Sequence, residues 1–378
     1  MPLRYFTDAS KRRLRSLDVF RGLAIASMIL VNNPGSWTYV YPPLRHAEWF
    51  GFTPTDQIFP AFLFIAGASS AFSLDRFAER NNTPWLIYGR IAKRVGLLLL
   101  LGLLLNGFPF YDLPNLRFLG VLQRIGLAYG LATLVILKVP RLWQIVGAIA
   151  LLFTYWIWLV GVPIPGNPGV DPLAEATNWV CDLDQLFLGA SHMYKGGPFD
   201  PEGLLSTLPA VVTVLMGYWS VQWIKNHGVH TFTSTRLAGA GVITLGLGYF
   251  WGIFFPVSKP LWTSSYVLVS GGWSLILLAV CFELIDVQRW RSLGWAFEIM
   301  GRNAIAIFVG SGIVARILYR TNIGSGEAAP STYQWLFENL YASWAGPWTG
   351  SILFAITATL IWWGISWFMY HQKWLLRI

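Results

Sequence analysis

Long apolar stretches recur along the whole chain, and short polar segments separate them. About ten of these stretches approach the roughly 20 residues that an α-helix needs to cross the hydrocarbon core of a bilayer. We place them at residues 17–37, 53–74, 88–107, 117–137, 142–162, 204–224, 236–255, 263–284, 297–318 and 347–370. The pattern therefore predicts an all-α polytopic membrane protein with about ten transmembrane helices.

Composition and charge agree with this prediction. The chain is 55% hydrophobic and only 12% charged, whereas a soluble domain carries about 25% charged residues. The net charge of +9 does not indicate a nucleic-acid partner, because most of the 27 Lys and Arg residues fall in alternate loops. The positive-inside rule places these loops, and with them the N- and C-termini, in the cytoplasm. The expected partner is the lipid bilayer.

The chain divides into a basic cytoplasmic N-terminus (1–16), one transmembrane domain (17–371) and a cytoplasmic tail (372–378). We expect the first helix to remain as an anchor, because no cleavage site for a signal peptide follows it. Of two long outer loops, 161–203 is either a functional loop or a solvated connector. The other, 319–346, is rich in aromatic residues, which favours an interfacial helix or an aromatic belt.

The first predicted outer loop contains His46, and an imidazole at the edge of a bilayer is a candidate proton acceptor. Asn32 and Asn33 end the helix before it, where they either form interhelical hydrogen bonds or line an active cavity. Asp56 lies in the first turn of the helix after it. This carboxylate either caps that helix or orients the imidazole in the preceding loop.

Three arginines are predicted near the cytoplasmic surface: Arg21, Arg94 and Arg302. Asp18 and Arg21 are three residues apart and share a helix face, so they can form a structural ion pair. Alternatively, the three guanidinium groups attract phosphates arriving from the cytoplasm.

A further arginine, Arg124, follows Gln123 about two turns inside the predicted outer surface. A charge at that depth needs a carboxylate or a cavity. Asp56 or Glu202 would serve as a structural partner, and an anionic group of a substrate would serve as a functional one. No spacing of His, Cys and carboxylate residues indicates a metal site.

Several motifs occur in the order of a known family. They are RSLDVFRG at 15–22, LRHAEW at 44–49, TDQIFP at 55–60, GVLQR at 120–124, DPEG at 200–203 and LWTSSY at 261–266. Together they resemble the heparan-α-glucosaminide N-acetyltransferase family, over nearly the whole chain from about residue 13. The absence of an extra luminal domain before the first motif is what we expect of a compact, bacterial-type transmembrane acyltransferase.

This resemblance implies transfer of an acetyl group from cytoplasmic acetyl-CoA to the amino group of glucosamine, or of a glucosaminide, on the periplasmic side of a bacterial inner membrane. It also suggests a homodimer. The family's catalytic histidine matches His46, and its active-site asparagine matches Asn32, with Asn33 as a substitute. The expected site is catalytic His46, Asn32 and Asp56; substrate-binding Asn33, Glu48, Gln123, Arg124, Glu202, Trp262 and Ser264; and cofactor-binding Arg21, Arg94, Arg302 and Asn303, with no metal.

Acyl transfer to an amine requires removal of a proton and stabilisation of a developing oxyanion. His46 would accept the proton or would itself attack the thioester and form an acetyl-imidazole. Asn32 or Asn33 would donate a hydrogen bond to the thioester oxygen, and Asp56 would hold the imidazole tautomer. Two other functions are considered: a secondary transporter of an amino sugar or organic anion, and an O-acyltransferase of a surface polysaccharide.

Overall fold

A computed structural model describes residues 14–78, 84–164, 166, 169–326 and 329–376, and these residues form helices, turns and loops without a strand. The α-helices are α1 (Arg15–Asn32), α2 (Ile58–Ala78), α3 (Pro84–Gly107), α4 (Val121–Lys138), α5 (Arg141–Gly161), α6 (Trp179–Leu188), α7 (Thr207–His227), α8 (Thr231–Gly252), α9 (Ser264–Phe282), α10 (Arg291–Arg302), α11 (Ala304–Arg320), α12 (Thr332–Phe337), α13 (Ser343–Ala345) and α14 (Pro347–His371). Most of the predicted N-terminal segment, the last two residues of the tail and a few residues of the two outer loops lie outside the described ranges.

Every predicted apolar run overlaps a long helix or a pair of helices. Among the described residues, six helices are long and apolar enough to cross a membrane, or seven with the bent pair α10–α11. Helices α1, α3 and α8 are not in this set, and each carries charge in its first half, such as Arg21, Lys93 and Arg236. The chain is thus a multi-pass, all-helical membrane protein; ten crossings and cytoplasmic termini stay predictions.

The structure divides the predicted run 297–318 into α10 and α11, which meet at an angle of 67°. Asn303 occupies the break. Its amide donates to the carbonyl of Trp374 and accepts from the N–H of Leu376, both at 3.0 Å. The side chain therefore fastens the segment after α14 at the bend, and it does not line the cavity described below.

Glycines bring the central helices into backbone contact. A Cβ on Gly22 of α1 would lie 1.7 Å from the carbonyl oxygen of Phe297 in α10, and one on Gly67 of α2 would lie 1.8 Å from that of Val214 in α7. Small residues are what such close helix crossings need. Helix α2 consequently lies at the centre of the bundle, in contact with α1, α4, α7 and α9.

Both long loops that are predicted to lie on the outer side contain helices. Helix α6 lies within 161–203, and the Asn178 side chain caps it by accepting from the N–H of Cys181 at 2.9 Å. Helices α12 and α13 lie within 319–346, which agrees with the helix expected there. The two loops are therefore structured connections.

Candidate active site

His46 follows a 3₁₀ turn at Pro42–Leu44 and lies beside the start of α2. Its Nδ1 atom is 2.6 Å from Oδ1 of Asp56. An ionised carboxylate can only accept, so Nδ1 donates the proton in this contact and the neutral ring keeps a lone pair on Nε2. The His46 side chain is 46% exposed, whereas Asp56 is fully buried. This is the arrangement of an imidazole ready to accept a proton.

Asp56 is fixed by the loop that carries the histidine. Its Oδ2 atom accepts from the backbone N–H groups of Ala47 and Thr53, both at 3.1 Å. The N–H of Asp56 in turn donates to the carbonyl of Thr53 at 3.0 Å, within the 3₁₀ turn Pro54–Gln57 that leads into α2. The carboxylate therefore caps the helix and contacts the imidazole, and the two roles considered for Asp56 are combined in one geometry.

Lys259 is a part of this site that the sequence did not reveal. Its Nζ atom is 3.1 Å from His46 Nδ1 and 3.5 Å from Asp56 Oδ1. Burial lowers the pKa of Lys259 below its ordinary value, although the carboxylates of Asp56 and Glu202 act in the opposite direction. The signal that could have found it is its place two residues before the LWTSSY motif.

Trp262 and Tyr266 join the histidine site to α4. Trp262 is fully buried and has a φ of 51°, a left-handed backbone conformation that is an outlier for a bulky residue. Its ring lies 4.8 Å from the guanidinium carbon of Arg124 and packs edge-on against Tyr266. The Tyr266 hydroxyl donates to the carbonyl of Asp56 at 2.8 Å. Trp262 thus contacts both α4 and the residue that supports Asp56.

Arg124 has other partners than those expected. The fully buried guanidinium donates to the carbonyl of Gly203 at 3.1 Å and to the hydroxyl of Ser206. Neither Asp56 nor Glu202 is hydrogen-bonded to it among the described residues, because Glu202 is bound to Arg117 at 2.5 Å. Two other nitrogens of Arg124, Nε and Nη1, have no partner in the described part of the chain.

Arg117 holds the acidic segment before α7. It makes two hydrogen bonds to Asp200, at 2.8 and 2.6 Å, besides the one to Glu202. Burial alone would lower the pKa of Arg117, but these two carboxylates outweigh it and raise the pKa. Glu202 is therefore committed to an ion pair, and any contact with a substrate would have to share it.

Of the remaining residues expected to bind substrate, two donate hydrogen bonds to backbone carbonyls and one is exposed. Gln123 donates to the carbonyl of Phe118 at 3.1 Å, and Ser264 to that of Leu152 at 2.7 Å, and both are buried. Glu48 is exposed. Gln123 and Ser264 are therefore engaged in contacts other than with His46, whereas Glu48 lies in the His46 loop without a hydrogen bond among the described residues.

The two asparagines lie at the end of α1. Asn33 donates to the carbonyl of Ile29 at 2.8 Å, whereas Asn32 is exposed and, among the described residues, forms no hydrogen bond through its side chain. Neither contacts His46 in the described part of the chain. The amide of Asn32 is free to meet a substrate, and that of Asn33 is occupied.

A cavity of about 330 Å³ opens near the other end of α1. It brings together the three arginines assigned to the cofactor, Arg21, Arg94 and Arg302, and adds Arg76. Among the described lining residues Asp18 is the single carboxylate, and Glu298 pairs with Arg302 from outside the lining, so the four arginines leave the cavity with a net positive charge. The lining also includes Val121 of α4, so the cavity extends to the first turn of that helix.

The donor groups in this cavity suit phosphates. Arg21 donates to Asp18 at 3.1 Å and to the Ser69 hydroxyl at 2.7 Å, as predicted for a structural pair. In contrast, the Nε atoms of Arg94 and Arg302 are buried and have no hydrogen-bond partner among the described residues, although Nη2 of Arg302 donates to Glu298 at 2.5 Å. Guanidinium groups bind phosphates well, so this lining would suit a nucleotide bearing several phosphates. The described residues contain no group of His, Cys, Asp or Glu placed to hold a metal ion.

Comparison with known proteins gives the family of the chain. The model of a family described as "Heparan-alpha-glucosaminide N-acetyltransferase, catalytic" matches residues 13–248, which is more than half of the chain. The heparan-alpha-glucosaminide N-acetyltransferase of Homo sapiens is 28% identical over 370 residues, covering 82% of this chain and 54% of the relative. That of Mus musculus is 27% identical over 357 residues, covering 80% and 54%. The chain spans about half the length of these curated relatives. The family match nevertheless includes the His46 loop, Asp56 and Arg124, and the chain belongs to the heparan-alpha-glucosaminide N-acetyltransferase catalytic family.

Proposed function

We propose that this protein is a transmembrane N-acetyltransferase. It would move an acetyl group from cytoplasmic acetyl-CoA to the amino group of glucosamine, or of a glucosaminide, on the periplasmic side of a bacterial inner membrane. The observation that carries the proposal is the coexistence of an imidazole paired with a buried carboxylate, His46 and Asp56, and an arginine-lined cavity at the opposite end of α1.

The cavity would bind the donor. Arg94 and Arg76 have no carboxylate partner among the described residues, whereas Arg302 is paired with Glu298 at 2.5 Å. The apolar side chains that continue the cavity toward α4, including Leu122 and Ile125, suit the less polar arm of the coenzyme. The thioester would thus point away from the arginines and toward the end of the bundle that carries His46.

The chemistry follows from the tautomer that Asp56 imposes. The amine nitrogen of the sugar attacks the thioester carbon, a C–N bond forms, and the C–S bond breaks. Nε2 of His46 accepts a proton from the attacking nitrogen and delivers it to the departing sulfur, so the products are an N-acetyl sugar and free CoA thiol. The exposed amide of Asn32, at the end of α1, would donate a hydrogen bond to the oxyanion.

The test is acetyl transfer by the purified protein in proteoliposomes, with acetyl-CoA and glucosamine as substrates. We expect stoichiometric N-acetylglucosamine and free thiol, and a loss of at least ~100-fold for His46→Ala, since general base catalysis contributes about that much or more. His227→Ala is the matched control, because His227 bonds the carbonyl of Trp223 at the end of α7.

Three results would refute the proposal: full activity of His46→Ala, accumulation of the sugar without any acyl donor, or preference for a hydroxyl acceptor over the amine. The second would identify a transporter and the third an O-acyltransferase. The proposed orientation is tested separately. His46→Cys should react with a membrane-impermeant maleimide added from the periplasmic side of intact spheroplasts, and labelling only after lysis would reverse the assigned sides.

A further inference from the structure

The contacts of His46 Nδ1 are mutually inconsistent for a single protonation state. Asp56 Oδ1 at 2.6 Å needs a proton on Nδ1, because a carboxylate only accepts. The Lys259 ammonium at 3.1 Å can only donate, so it would need Nδ1 without a proton. The 2.6 Å contact is the shorter one, so the Nδ1 proton belongs to the Asp56 pair and Lys259 is a cation held beside the ring.

The chain fixes Lys259 in this place by backbone contacts. The carbonyl of Lys259 accepts from the N–H of Trp262 at 3.1 Å, and the N–H of Thr263 donates to the carbonyl of Ser258 at 3.2 Å, which closes a turn around the lysine. In addition, the N–H of Gly51 donates to the carbonyl of Val257 at 2.7 Å. The loop that carries His46 is therefore tied directly to the segment that carries Lys259.

We propose that Lys259 is a positioning residue that keeps the His46 ring unprotonated, so that Nε2 is available as the base. This inference rests on the proposed function, which requires a base, but the protonation of the His46 ring can be measured without acetyl transfer. A cation 3.1 Å from the ring opposes formation of a second positive charge there, whereas Asp56 favours it. Without Lys259, the buried carboxylate would act alone and would stabilise the imidazolium, which has no lone pair to accept a proton.

The other charged groups near the lysine do not change the sign of this effect. Burial, which is the largest effect, and Arg124 disfavour its cationic form, whereas Asp56 and Glu202 stabilise it. Glu202 is itself bound to Arg117, and Arg124 is directed to Gly203 and Ser206. The Lys259 side chain is 18% exposed and that of His46 is 46% exposed, so water screens their interaction only in part. The ring therefore faces one carboxylate and one cation at close range.

The experiment measures the unprotonated ring directly. Diethyl pyrocarbonate acylates neutral imidazole, so the rate of modification of His46, followed by mass spectrometry of its peptide, reports the unprotonated fraction from pH 5 to 9. Full-length protein in detergent is compared with Lys259→Met, Lys259→Gln and Lys259→Arg. Retention of a single sharp thermal transition checks the fold of each variant, and two uncharged variants are used in case one misfolds.

Lys259→Met and Lys259→Gln should move the midpoint of the labelling curve up by at least ~1 pH unit, as expected for loss of a nearby charge. Lys259→Arg, which keeps the charge, should stay close to the wild-type curve. In the two uncharged variants, the acidic limb of the pH–rate profile for acetyl transfer should shift up by the same number of pH units. Coincident labelling curves for all four proteins, or an equal shift in Lys259→Arg, would overturn the inference. If the wild type transfers no acetyl group and the labelling still shifts, the proposed function fails and the role of Lys259 stands.

Discussion

Replacement of Asp56 by Asn is the sharpest test of the histidine site, because it changes one atom and one charge. Oδ2 of Asp56 accepts from the N–H groups of Ala47 and Thr53, so the single amide oxygen of Asn is best kept at that position. The amide nitrogen then replaces Oδ1, 2.6 Å from His46 Nδ1. An NH₂ group only donates, and Nδ1 must become an acceptor.

The consequence for catalysis can be worked from this geometry. When Nδ1 accepts, the neutral ring carries its proton on Nε2, and no base faces the substrate. Lys259 reinforces this tautomer, because it can also donate to Nδ1. Loss of general base catalysis costs ~10²–10⁴ in rate, which corresponds to roughly 3–5 kcal/mol in activation free energy.

The assay is kcat for acetyl transfer from acetyl-CoA to glucosamine at pH 7, with the affinity for CoA measured by calorimetry. We expect kcat of Asp56→Asn to fall by at least ~100-fold while the affinity for CoA stays at the wild-type value, since the arginine-lined cavity is not touched. Asp75→Asn is the matched control, because Asp75 pairs with Lys225 elsewhere in the bundle. A correctly folded Asp56→Asn protein that keeps more than a tenth of wild-type kcat would refute the assigned tautomer.

Three further outcomes are expected. Arg94→Gln should weaken CoA binding about tenfold, as for one lost charged hydrogen bond. Arg236→Gln, outside that cavity, should bind CoA as the wild type does. Equal affinities of the wild type and Arg94→Gln for CoA in calorimetry would show that Arg94 does not bind the donor. Burial raises the pKa of Asp184 to about 7, so the folded state favours the protonated acid. The free energy of unfolding should therefore fall as pH rises from about 4 to 7, by up to roughly 4 kcal/mol. Thermal unfolding of Asp184→Asn should lack this pH dependence, and an unchanged dependence would exclude Asp184 as its source. Gly22→Val should push α1 away from Phe297 and destabilise the protein by ~1–3 kcal/mol, seen as a lower Tm, and a wild-type Tm would show that the helix contact is not tight.

The pairing of His46 with Asp56 could be anticipated from the sequence because it is local. Thr53, Pro54 and Asp56 form the start of a helix, and a carboxylate in that turn faces back toward the loop that precedes it. Because His46 and Asp56 are close in the chain, the loop between them can adopt few conformations. The same locality explains why the Asp18–Arg21 pair was predicted correctly.

Contacts between distant segments could not be read from the pattern. Lys259 reaches His46 only because α9 packs against α2 and Gly51 binds Val257, and neither contact has a signature in apolar periodicity. The bend at Asn303 could not be predicted from the apolar pattern either, because it also depends on a contact with a distant segment. The predicted run 297–318 spans the bend, which depends on a C-terminal segment that docks on the Asn303 side chain.

The arginine cavity lies between these two cases. Topology placed Arg21, Arg94 and Arg302 at one surface, but their convergence on a single cavity depends on how closely the helices approach. Helices α1 and α10 meet through glycines, which moves Arg302 toward α1, and Arg94 lies over the ring of Tyr129 on α4, 4.3 Å from its centre. The three arginines line one cavity because of helix packing, which a hydropathy pattern does not encode.

Helix α1 separates the two polar sites, and the separation bears on the proposed reaction. Arg21 and Asn32 lie eleven residues apart on this helix, or roughly 16 Å along its axis. The cavity is lined by α1 as far as Ile25 and by Val121 at the start of α4. Arg124, one turn further along α4, contacts Trp262 in the segment after Lys259. Under the proposed function, the phosphates of the donor and the hydroxyl groups of the sugar therefore stay at opposite ends of the bundle, where each remains solvated or paired. Only the small, uncharged acetyl group has to change sides, which avoids the cost of moving a charge through hydrocarbon.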